Sequence, residues 1–446
     1  MDTDNARSTA ATPLGATNRR SFVGGVGAAT GLGSVFERLA SHHGGAGNDG
    51  SGNGGAGNGG PPPSGATYHV YRSNGKYRVA SAGKGGVEFT TAADGNAEEA
   101  FQYAFDQVPE EGGTVVADTD EFRFGGPAVM GDGTLLTGGS GTRFVASATG
   151  SRIGFTEREL DVGHDLIRVR GDDAAVTGIE FDANDTRLDN HAVQAEGCDG
   201  LLLADNRTVN GFQMALSFAD CENVVVRGNE VIDPNWYGIT SRGARDGLDL
   251  RRSTDALIQG NRVTDVTFNN IAPYNVANFS VVGNVCYRGG HSLIACSPSQ
   301  QGTIVGNVCR DLELEPIAAD PGGEAGLEIE YKETHLSDEV AGTDNETSFD
   351  ITVANNHVEN CGVGFISRTV PVDESDEDEY RRTKRPYSFT VTGNAINDCD
   401  TGVLVRSGAD GVVATNTLRA NDTQIDVRES PFAENVQTDL NVTRGA

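Results

Sequence analysis

An asparagine that follows a short β-rich run recurs along the chain at a nearly constant interval. The stretches FSVVGNVCYRGG, from Phe279, and GTIVGNVCRDLE, from Gly302, place equivalent asparagines 23 residues apart. A unit of 22–23 residues with short alternating strands and no long amphipathic helix is typical of a stacked β-solenoid. The recurring residues are Asn206, Asn229, Asn261, Asn284, Asn307, Asn356, Asn394 and Asn416, with gaps of 23, 32, 23, 23, 49, 38 and 22 residues.

A second strand precedes each asparagine. Two apolar residues, thirteen and eleven positions before it, share one face of a strand and are predicted to fill the interior. Because crossovers between parallel strands are right-handed, the pattern predicts an all-β fold, a right-handed parallel β-helix (solenoid) of about ten coils. The asparagine itself is expected to turn the chain in the left-handed (αL) conformation and to bond the next asparagine. The interior pairs are Val193/Ala195, Leu216/Phe218, Leu248/Leu250, Ile271/Pro273, Ile294/Cys296 and Val403/Val405.

The cysteines follow the same period. Cys198 and Cys221 are one coil apart, as are Cys286 and Cys309. Stacked positions lie within disulfide reach, but parallel side chains give poor dihedral angles. We therefore expect mostly free, buried thiols, with disulfides as the alternative, and the odd total of seven leaves at least one cysteine unpaired.

A helix that covers the N-terminal end is predicted before the coils. Asn96 and Glu99 have the spacing of a capping pair, and Phe101, Ala104, Phe105 and Val108 form an apolar helical face. This helix, the EEGG-TVV after it and GDGTLLTGGSGTRFVAS resemble the opening of pectate-lyase-superfamily β-helix proteins. The resemblance covers residues 86–427 approximately and implies the fold more strongly than any reaction.

The N-terminus resembles an export signal, because Arg19-Arg20 precede a weakly apolar stretch rich in Gly and Ala. We expect residues 1–43 to be a twin-arginine signal peptide, 44–66 a Gly/Asn/Pro linker and 67–446 the β-helix domain of an extracellular or cell-surface protein. No apolar run approaches the length of a membrane span. The net charge of -30 resembles that of proteins from salt-adapted archaea and argues against nucleic acid as a partner.

Extra residues interrupt the repeat at four places: 233–246 and 311–326 before a strand, and 332–347 and 369–385 after one. Insertions in solenoids map to the binding face, so they predict a groove with two rims. Its floor would be the outward positions of the flanked strand. These are Gln194 and Glu196, Ser217 and Ala219, Asp249 and Arg251, Ala272 and Tyr274, Ala295 and Ser297, Glu328 and Glu330, and Ile366 and Arg368.

This groove suits an acidic polysaccharide. β-Elimination or epimerisation of a uronate needs a cation for the carboxylate, a base for the α-proton and, in elimination, an acid for the leaving oxygen. The catalytic candidates are Asp249, Arg251, Tyr274, His291 and Glu330. The substrate-binding candidates are Trp236, Tyr237, Arg242, Asp246, Arg252, Lys332 and Arg368. The candidate ligands for Ca²⁺, which prefers carboxylate oxygens, are Asp249, Glu328 and Glu330.

Trp236, the only tryptophan, lies in the first insertion beside Tyr237. An exposed aromatic face stacks well on a sugar ring; the alternative is that Trp236 packs against its own loop.

Other functions stay open. Polygalacturonase-like β-helix hydrolases carry N-T-D-G, G-D-D-C and G-H-G motifs on three consecutive coils. Asp246 in RDGLD and His291 in GGHSL resemble two of these motifs, but Asn269-Asn270 replaces the aspartate pair and cannot transfer protons. An exported lyase or epimerase is therefore the main hypothesis. A non-catalytic carbohydrate- or surface-binding β-helix is the alternative, and an inverting glycoside hydrolase comes third. The oligomeric state does not follow from the sequence.

Overall fold

The structure is a computed structural model, and it describes most of the chain after residue 64. The described ranges are 65–84, 86–94, 96–118, 120–147, 165–184, 191–241, 250–312, 325–337, 340–343, 346–370, 381–419, 421–427 and 432–444. The predicted signal peptide, nearly all of the predicted linker and parts of all four insertions lie outside these ranges.

Short strands make up most of the described chain. In chain order the elements are β1 (Ala66–Ser73), β2 (Lys76–Ser81), β3 (Val87–Ala92), α1 (Ala97–Asp106), β4 (Gly113–Ala117), β5 (Glu121–Phe124), β6 (Ala128–Met130), β7 (Thr134–Gly138), β8 (Arg143–Ala146), β9 (Ile167–Val169), β10 (Ala175–Thr177), β11 (Glu180–Asp182), β12 (His191–Glu196), β13 (Asp199–Ala204), β14 (Arg207–Val209), β15 (Met214–Ala219), β16 (Glu222–Arg227), β17 (Glu230–Ile232), β18 (Tyr237–Ser241), β19 (Ser253–Gln259), β20 (Arg262–Val266), β21 (Asn269–Pro273), β22 (Val276–Val282), β23 (Val285–Gly289), β24 (Ser292–Cys296), β25 (Gln300–Val305), β26 (Val308–Arg310), β27 (Ala325–Lys332), a 3-10 turn (Glu333–His335), β28 (Phe349–Ala354), β29 (His357–Glu359), β30 (Val363–Val370), β31 (Tyr387–Thr392), β32 (Ala395–Asn397), β33 (Thr401–Val405), β34 (Gly408–Ala409), β35 (Val412–Ala414), β36 (Thr417–Arg419), β37 (Thr423–Val427), β38 (Ala433–Glu434), β39 (Gln437–Asp439) and β40 (Val442–Arg444).

These strands stack into three parallel sheets, to which successive coils contribute one strand each. Sheet A includes β4, β7, β10, β13, β16, β19, β22, β25, β28, β31 and β35; sheet B runs from β5 to β40 through twelve strands; sheet C runs from β6 to β37 through eleven strands. At the N-terminal end β1 pairs with β4 in parallel, whereas β2 and β3 extend sheet A in antiparallel pairing. The fold is a right-handed parallel β-helix, as predicted.

The interior is apolar and continuous. Val193, Leu216, Ile271, Ile294 and Val403, all predicted as interior residues, are fully buried in one core cluster. The pair Leu248/Leu250 was predicted wrongly. In that coil, β18 supplies the strand of sheet C, with Ile239 aligned to Leu216 and to Ile271. The extra residues of the 32-residue repeat follow this strand instead of preceding it, so counting back from the asparagine reached the wrong segment.

The recurrent asparagines lie where sheet A passes to sheet B, and they form a buried ladder. Asn284 Oδ1 accepts hydrogen bonds from the backbone N–H of Asn261 at 2.9 Å and from its side-chain amide at 3.0 Å. Asn284 Nδ2 donates to Asn307 Oδ1 and to the Ile258 carbonyl, each at 3.0 Å. The predicted bonding between coils is therefore confirmed.

The αL turn lies one residue earlier than predicted. The residue before each asparagine has the positive φ, 65° at Gly228 and at Gly260 and 55° at Asp205. Gly and Asp tolerate this conformation better than other residues, and the asparagine is left to make the ladder.

Helix α1 packs against the first coils with the predicted face. Phe101 is fully buried and its ring centroid lies 4.8 Å from that of Phe144 and 5.4 Å from that of Phe124. The capping pair is not formed, since Asn96 makes no side-chain cap hydrogen bond and the carboxylate of Glu99 accepts instead from Thr91 Oγ1 at 2.6 Å. No helix in the described residues is long and apolar enough to cross a membrane.

All seven cysteines are described, and all are buried, free thiols. Three stacked pairs nevertheless interact. The Cys198 thiol, hydrogen-bonded to Cys221 and buried, has its pKa raised, and the pKa of Cys221 is lowered as its partner in that bond. The preference for free thiols over disulfides is confirmed.

Candidate functional site

The outward face of sheet C aligns several of the predicted groove residues. Tyr274 bridges to Ser297 in the next coil, and Glu330 is aligned with Arg368 in the coil pair that follows. Because stacked coils lie about 4.8 Å apart, these four residues form a line roughly 14 Å long. Tyr274 and Ser297 are thus neighbours, as the predicted groove requires.

Asp249 and Arg251 do not belong to this line. Thr240 occupies the outward position between Ser217 and Ala272 that the sequence assigned to Asp249, because β18 lies inside the predicted insertion and the extra residues of this coil follow it. Asp249 itself lies outside the described residues. Arg251 lies just before β19, is largely exposed and places Nε 2.8 Å from Asp220 Oδ1, so its predicted place in the groove floor is wrong.

Three buried, charged side chains at outward positions of sheet C contact one another. Glu328, Glu330 and Arg368 are 0%, 2% and 4% exposed. Arg368 Nε donates to Glu328 Oε1, and Arg368 Nη2 donates to Glu330 Oε2 at 3.4 Å. Ser292 Oγ donates to the second oxygen of Glu328 at 2.6 Å. A buried carboxylate is tolerated when it is paired and hydrogen-bonded, and Glu328 is held tightly in this way.

Two buried histidines flank the charges. His291 Nε2 lies 3.3 Å from Arg368 Nη2, and its Nδ1 lies 3.9 Å from Glu328 Oε2. The His291 ring stacks on Phe268 with 4.3 Å between the centroids. This stacking holds the imidazole on the Glu328 side of the cluster.

The second histidine, His335, belongs to the 3-10 turn that follows β27. Its Nδ1 lies 3.0 Å from Ser297 Oγ and 3.5 Å from Glu330 Oε1, and its ring stacks on Tyr274 at 4.0 Å. Serine and carboxylate therefore face the same ring nitrogen. A nucleophilic triad needs them on opposite nitrogens, so Ser297, His335 and Glu330 do not form one.

An aromatic patch adjoins the cluster. Tyr237 packs edge-on against Phe268 at 5.3 Å and Tyr274 at 5.8 Å, and Trp236 stacks on Tyr237 at 5.9 Å. Tyr237 is 3% exposed, whereas Trp236 is half-buried. The patch thus extends from the acid–base groups to a tryptophan that retains exposed surface, and its remaining members are Met214, Ala272 and Ala295.

The field around the cluster is negative. Two carboxyl groups, of Glu328 and Glu330, share the one guanidinium of Arg368. Directly across sheet C, burial raises the pKa of the Cys296 thiol well above its ordinary value, and the charges of Glu328 and then Glu330 raise it further. The thiol thus senses both carboxylates through the sheet.

The predicted site residues divide into three groups. Tyr274, His291, Glu328, Glu330 and Arg368 converge, with Trp236 and Tyr237 beside them. Lys332, at the end of β27, is half-buried. Arg252 Nε donates to Asn275 Oδ1 at 3.1 Å. Arg242 and Asp246 lie outside the described residues. Within the part of the chain that is described, no three His, Cys, Asp or Glu side chains are grouped as a metal ion requires; the calcium site stays a prediction that depends on Asp249.

Sequence reasoning missed several members of the site. His335 is inside an insertion, so counting repeat positions could not reach it. Asn269 and Ser292 are the first residues of β21 and β24, and Phe268 directly precedes β21, so all three lie outside the counted positions. The insertion that contains His335 is nevertheless predicted to form part of a groove rim. That prediction is the one sequence feature that places His335 near the site.

A second buried histidine–carboxylate pair lies nearer the N-terminal end of the same sheet. His191 Nδ1 lies 2.5 Å from Asp165 Oδ1, and Arg168 Nε donates to Asp165 Oδ2 at 2.6 Å. Burial alone would raise the pKa of Asp165, but the charge and hydrogen bond of His191, together with Arg168, outweigh burial and lower this pKa.

No protein-family model matches the sequence, and no curated protein matches it. Solved structures do share the fold. PfbA, a surface adhesin of Streptococcus pneumoniae, is 12% identical with a TM-score of 0.56 over 79% of this chain and 88% of that chain. A GH87 α-1,3-glucanase catalytic unit from Streptomyces thermodiastaticus is 17% identical with a TM-score of 0.54 over 79% of this chain and 66% of that one. A Thermotoga maritima exopolygalacturonase is 13% identical with a TM-score of 0.54 over 78% and 88%. At these identities the likeness establishes the parallel β-helix fold alone.

Proposed function

We propose that the protein is a polysaccharide-active enzyme in which Glu330, His335 and Tyr274 transfer protons beside an aromatic sugar-binding patch. The observation that carries the proposal is the buried acid–base cluster on the same sheet face as the patch. Positioned carboxyl, imidazole and phenol groups are the usual proton-transfer groups of enzymes. The face of an aromatic ring stacks on the C–H face of a sugar ring.

Lyase or epimerase chemistry is the first candidate. A base, Tyr274 or His335, would remove the proton α to a uronate carboxylate. In elimination the C–O bond to the leaving sugar then breaks, a C=C bond forms, and Glu330 supplies a proton to the leaving oxygen. In epimerisation a proton returns from the opposite face. Removal of the α-proton would leave an enolate with negative charge on its oxygens. The guanidinium of Arg368 would stabilise that charge.

The negative field sets a condition on that chemistry. A uronate carboxylate would meet Glu328 and Glu330, which share the guanidinium of Arg368, and like charges repel strongly where water is excluded. The substrate carboxylate therefore needs a protonated Glu330 or a further cation. Calcium remains proposed for this purpose, with Asp249 as the ligand that would have to complete the site.

Glycoside hydrolysis is the second candidate, favoured by the two carboxylates on one strand face. Glu328 and Glu330 are two residues apart on β27, so their side chains leave the same face of the strand, and both carboxylates contact Arg368. Pairs of carboxyl groups at separations of about 5–9.5 Å serve as acid with base or nucleophile in glycosidases. A neutral glycan also avoids the repulsion that a uronate meets. The similar α-1,3-glucanase and exopolygalacturonase folds support this candidate in fold only.

A non-catalytic carbohydrate-binding role is the remaining alternative. The aromatic patch suits it, and PfbA, which shares the fold, is a surface adhesin. We propose an extracellular or cell-surface location, reached through the twin-arginine signal predicted in residues 1–43.

The test uses parallel assays in concentrated salt on pectate, alginate and an α-1,3-glucan. Absorbance of new C=C bonds detects a lyase, NMR of the sugar protons detects an epimerase, and reducing ends without C=C absorbance detect a hydrolase. Glu330→Gln is expected to reduce the active reaction at least about 10²-fold, and Arg251→Ala, the matched control outside the cluster, should leave it unchanged. Binding of these polymers without turnover would contradict the enzyme proposal and support the binder. Full activity of Glu330→Gln would contradict the assigned residues.

A further inference from the structure

We propose that Asn269 is a positioning residue that fixes the proton of His291 on Nδ1 and directs the lone pair of Nε2 to Arg368. Its catalytic meaning rests on the proposed function, because it orders groups of that site. The inference itself rests on hydrogen-bond donors and acceptors and does not require turnover.

The orientation of the Asn269 amide is set by the backbone. Asn269 is fully buried, and its Oδ1 accepts from the backbone N–H of Ser292 at 2.9 Å. A backbone N–H can only donate, so the atom that faces it must be the amide oxygen. The same oxygen lies 3.0 Å from His291 Nδ1. Since an amide oxygen only accepts, Nδ1 of His291 must carry a proton.

The opposite ring nitrogen of His291 faces a donor. Arg368 Nη2 lies 3.3 Å from Nε2, and a guanidinium has donors only. Nε2 must therefore accept, and His291 is neutral with its single proton on Nδ1. A second proton would set an imidazolium against a guanidinium inside the protein. His291 thus aligns Arg368 toward Glu330 and is not the group that exchanges protons with substrate.

The other end of the amide orients Tyr274. Asn269 Nδ2 donates to Tyr274 Oη, so the phenol oxygen uses a lone pair for this bond and its own proton must point to another acceptor. Aspartate at position 269 would still accept from His291 and Ser292 but would have no donor for Tyr274. An amide at this position therefore serves both sides of the site, whereas the aspartate of the polygalacturonase-like motif would serve one.

The experiment reads the tautomer directly. The full chain is produced with ¹⁵N-labelled histidine, and the His291 nitrogens are assigned by their loss in His291→Gln. At neutral pH the wild type should show a protonated Nδ1 and an unprotonated Nε2. Asn269→Asp should keep this pattern. Asn269→Leu should produce a mixture of tautomers, because Nδ1 loses its acceptor while Arg368 still faces Nε2. His335 is the internal control, since its Nδ1 faces Ser297 and Glu330 and should not change.

The outcomes separate this inference from the proposed function. A wild-type His291 that is protonated on Nε2, or on both nitrogens, overturns the inference, and so does an Asn269→Leu spectrum identical to wild type. If Asn269→Leu fails to fold, the wild-type and Asn269→Asp spectra still test which nitrogen of His291 carries the proton. Where turnover is measured, Asn269→Asp should lower kcat about tenfold or more with little change in KM, and an unchanged kcat contradicts the role toward Tyr274. Absence of turnover in wild type contradicts only the proposed function.

Discussion

Replacement of Arg368 by methionine tests whether the cluster is as dry as its burial indicates. Arg368 hydrogen-bonds to both Glu328 and Glu330, which are almost fully buried. Methionine fills a similar volume but leaves two buried carboxylates without a counter-charge. Breaking a buried pair by removing one partner costs about 3–5 kcal/mol, and we expect the free energy of unfolding of this region to fall by that amount at neutral pH.

The chain carries its own reporter for this measurement. Trp236 is the only tryptophan and belongs to the aromatic patch beside the cluster. Because solenoids can unfold in parts, its fluorescence in a urea titration reports the coils around the site. Arg251→Met, at an exposed ion pair, is the matched control and should change the unfolding free energy by no more than about 0.5 kcal/mol.

A compensating variant keeps the test decisive if Arg368→Met is too unstable to purify. Adding Glu328→Gln removes one of the two uncompensated charges and should recover at least about half of the loss. A loss below about 1 kcal/mol in Arg368→Met would refute the reasoning. Such a small loss would mean that water reaches both carboxylates, so the cluster would not be a water-excluded acid–base site.

Three further predictions follow from other contacts. Asn284→Ala leaves the buried N–H of Asn261 without its acceptor and should cost about 1–3 kcal/mol in urea unfolding; no measurable cost would show that the ladder is not a source of stability. Asp165 has a lowered folded pKa, so its stabilisation is present above its unfolded pKa of about 3.9 and is lost as pH falls through the lower folded value. Asp165→Asn should therefore be less stable than wild type at pH 7, with the difference shrinking below about pH 4; a constant difference would contradict the cited shift. Arg251→Ala should keep both turnover and thermal stability because this largely exposed side chain pairs with Asp220 at the surface, and loss of turnover would return it to the site.

The fold could be predicted because its determinants repeat. Each asparagine and each interior pair recurs one coil later. The strand and turn positions of one stretch, such as 279–290, therefore predict those of the adjacent coils. The prediction failed where an insertion interrupted the count. Whether nine extra residues precede or follow a strand is decided by which segment fills the interior better. Ile239 fills the interior in this coil, whereas spacing alone predicts Leu248 at that position.

The site was predictable only in part, for a related reason. Outward positions of regular strands follow from the period, so Tyr274, Glu330 and Arg368 were found by counting. His335 follows β27 in a 3-10 turn, and Asn269 lies at the first residue of a strand, where the side-chain alternation is not yet established. Contacts of this kind depend on how a loop folds back, and no periodicity in the sequence encodes that.

The register of sheet C itself argues that the charged cluster is not a requirement of the fold. Along the outward column that contains Glu328, the neighbours in register are Ala295 before it and Ile366 and Leu404 after it. All three are buried, and the last two pack into an apolar cluster on the same face. This chain thus covers that face with apolar side chains one coil away from a buried carboxylate. Replacing a buried ion pair by apolar residues is often neutral or stabilising, so stability alone does not require the charged set Glu328, Glu330 and Arg368. Retaining charge there, against two histidines and an aromatic patch, is what a proton-transfer site requires.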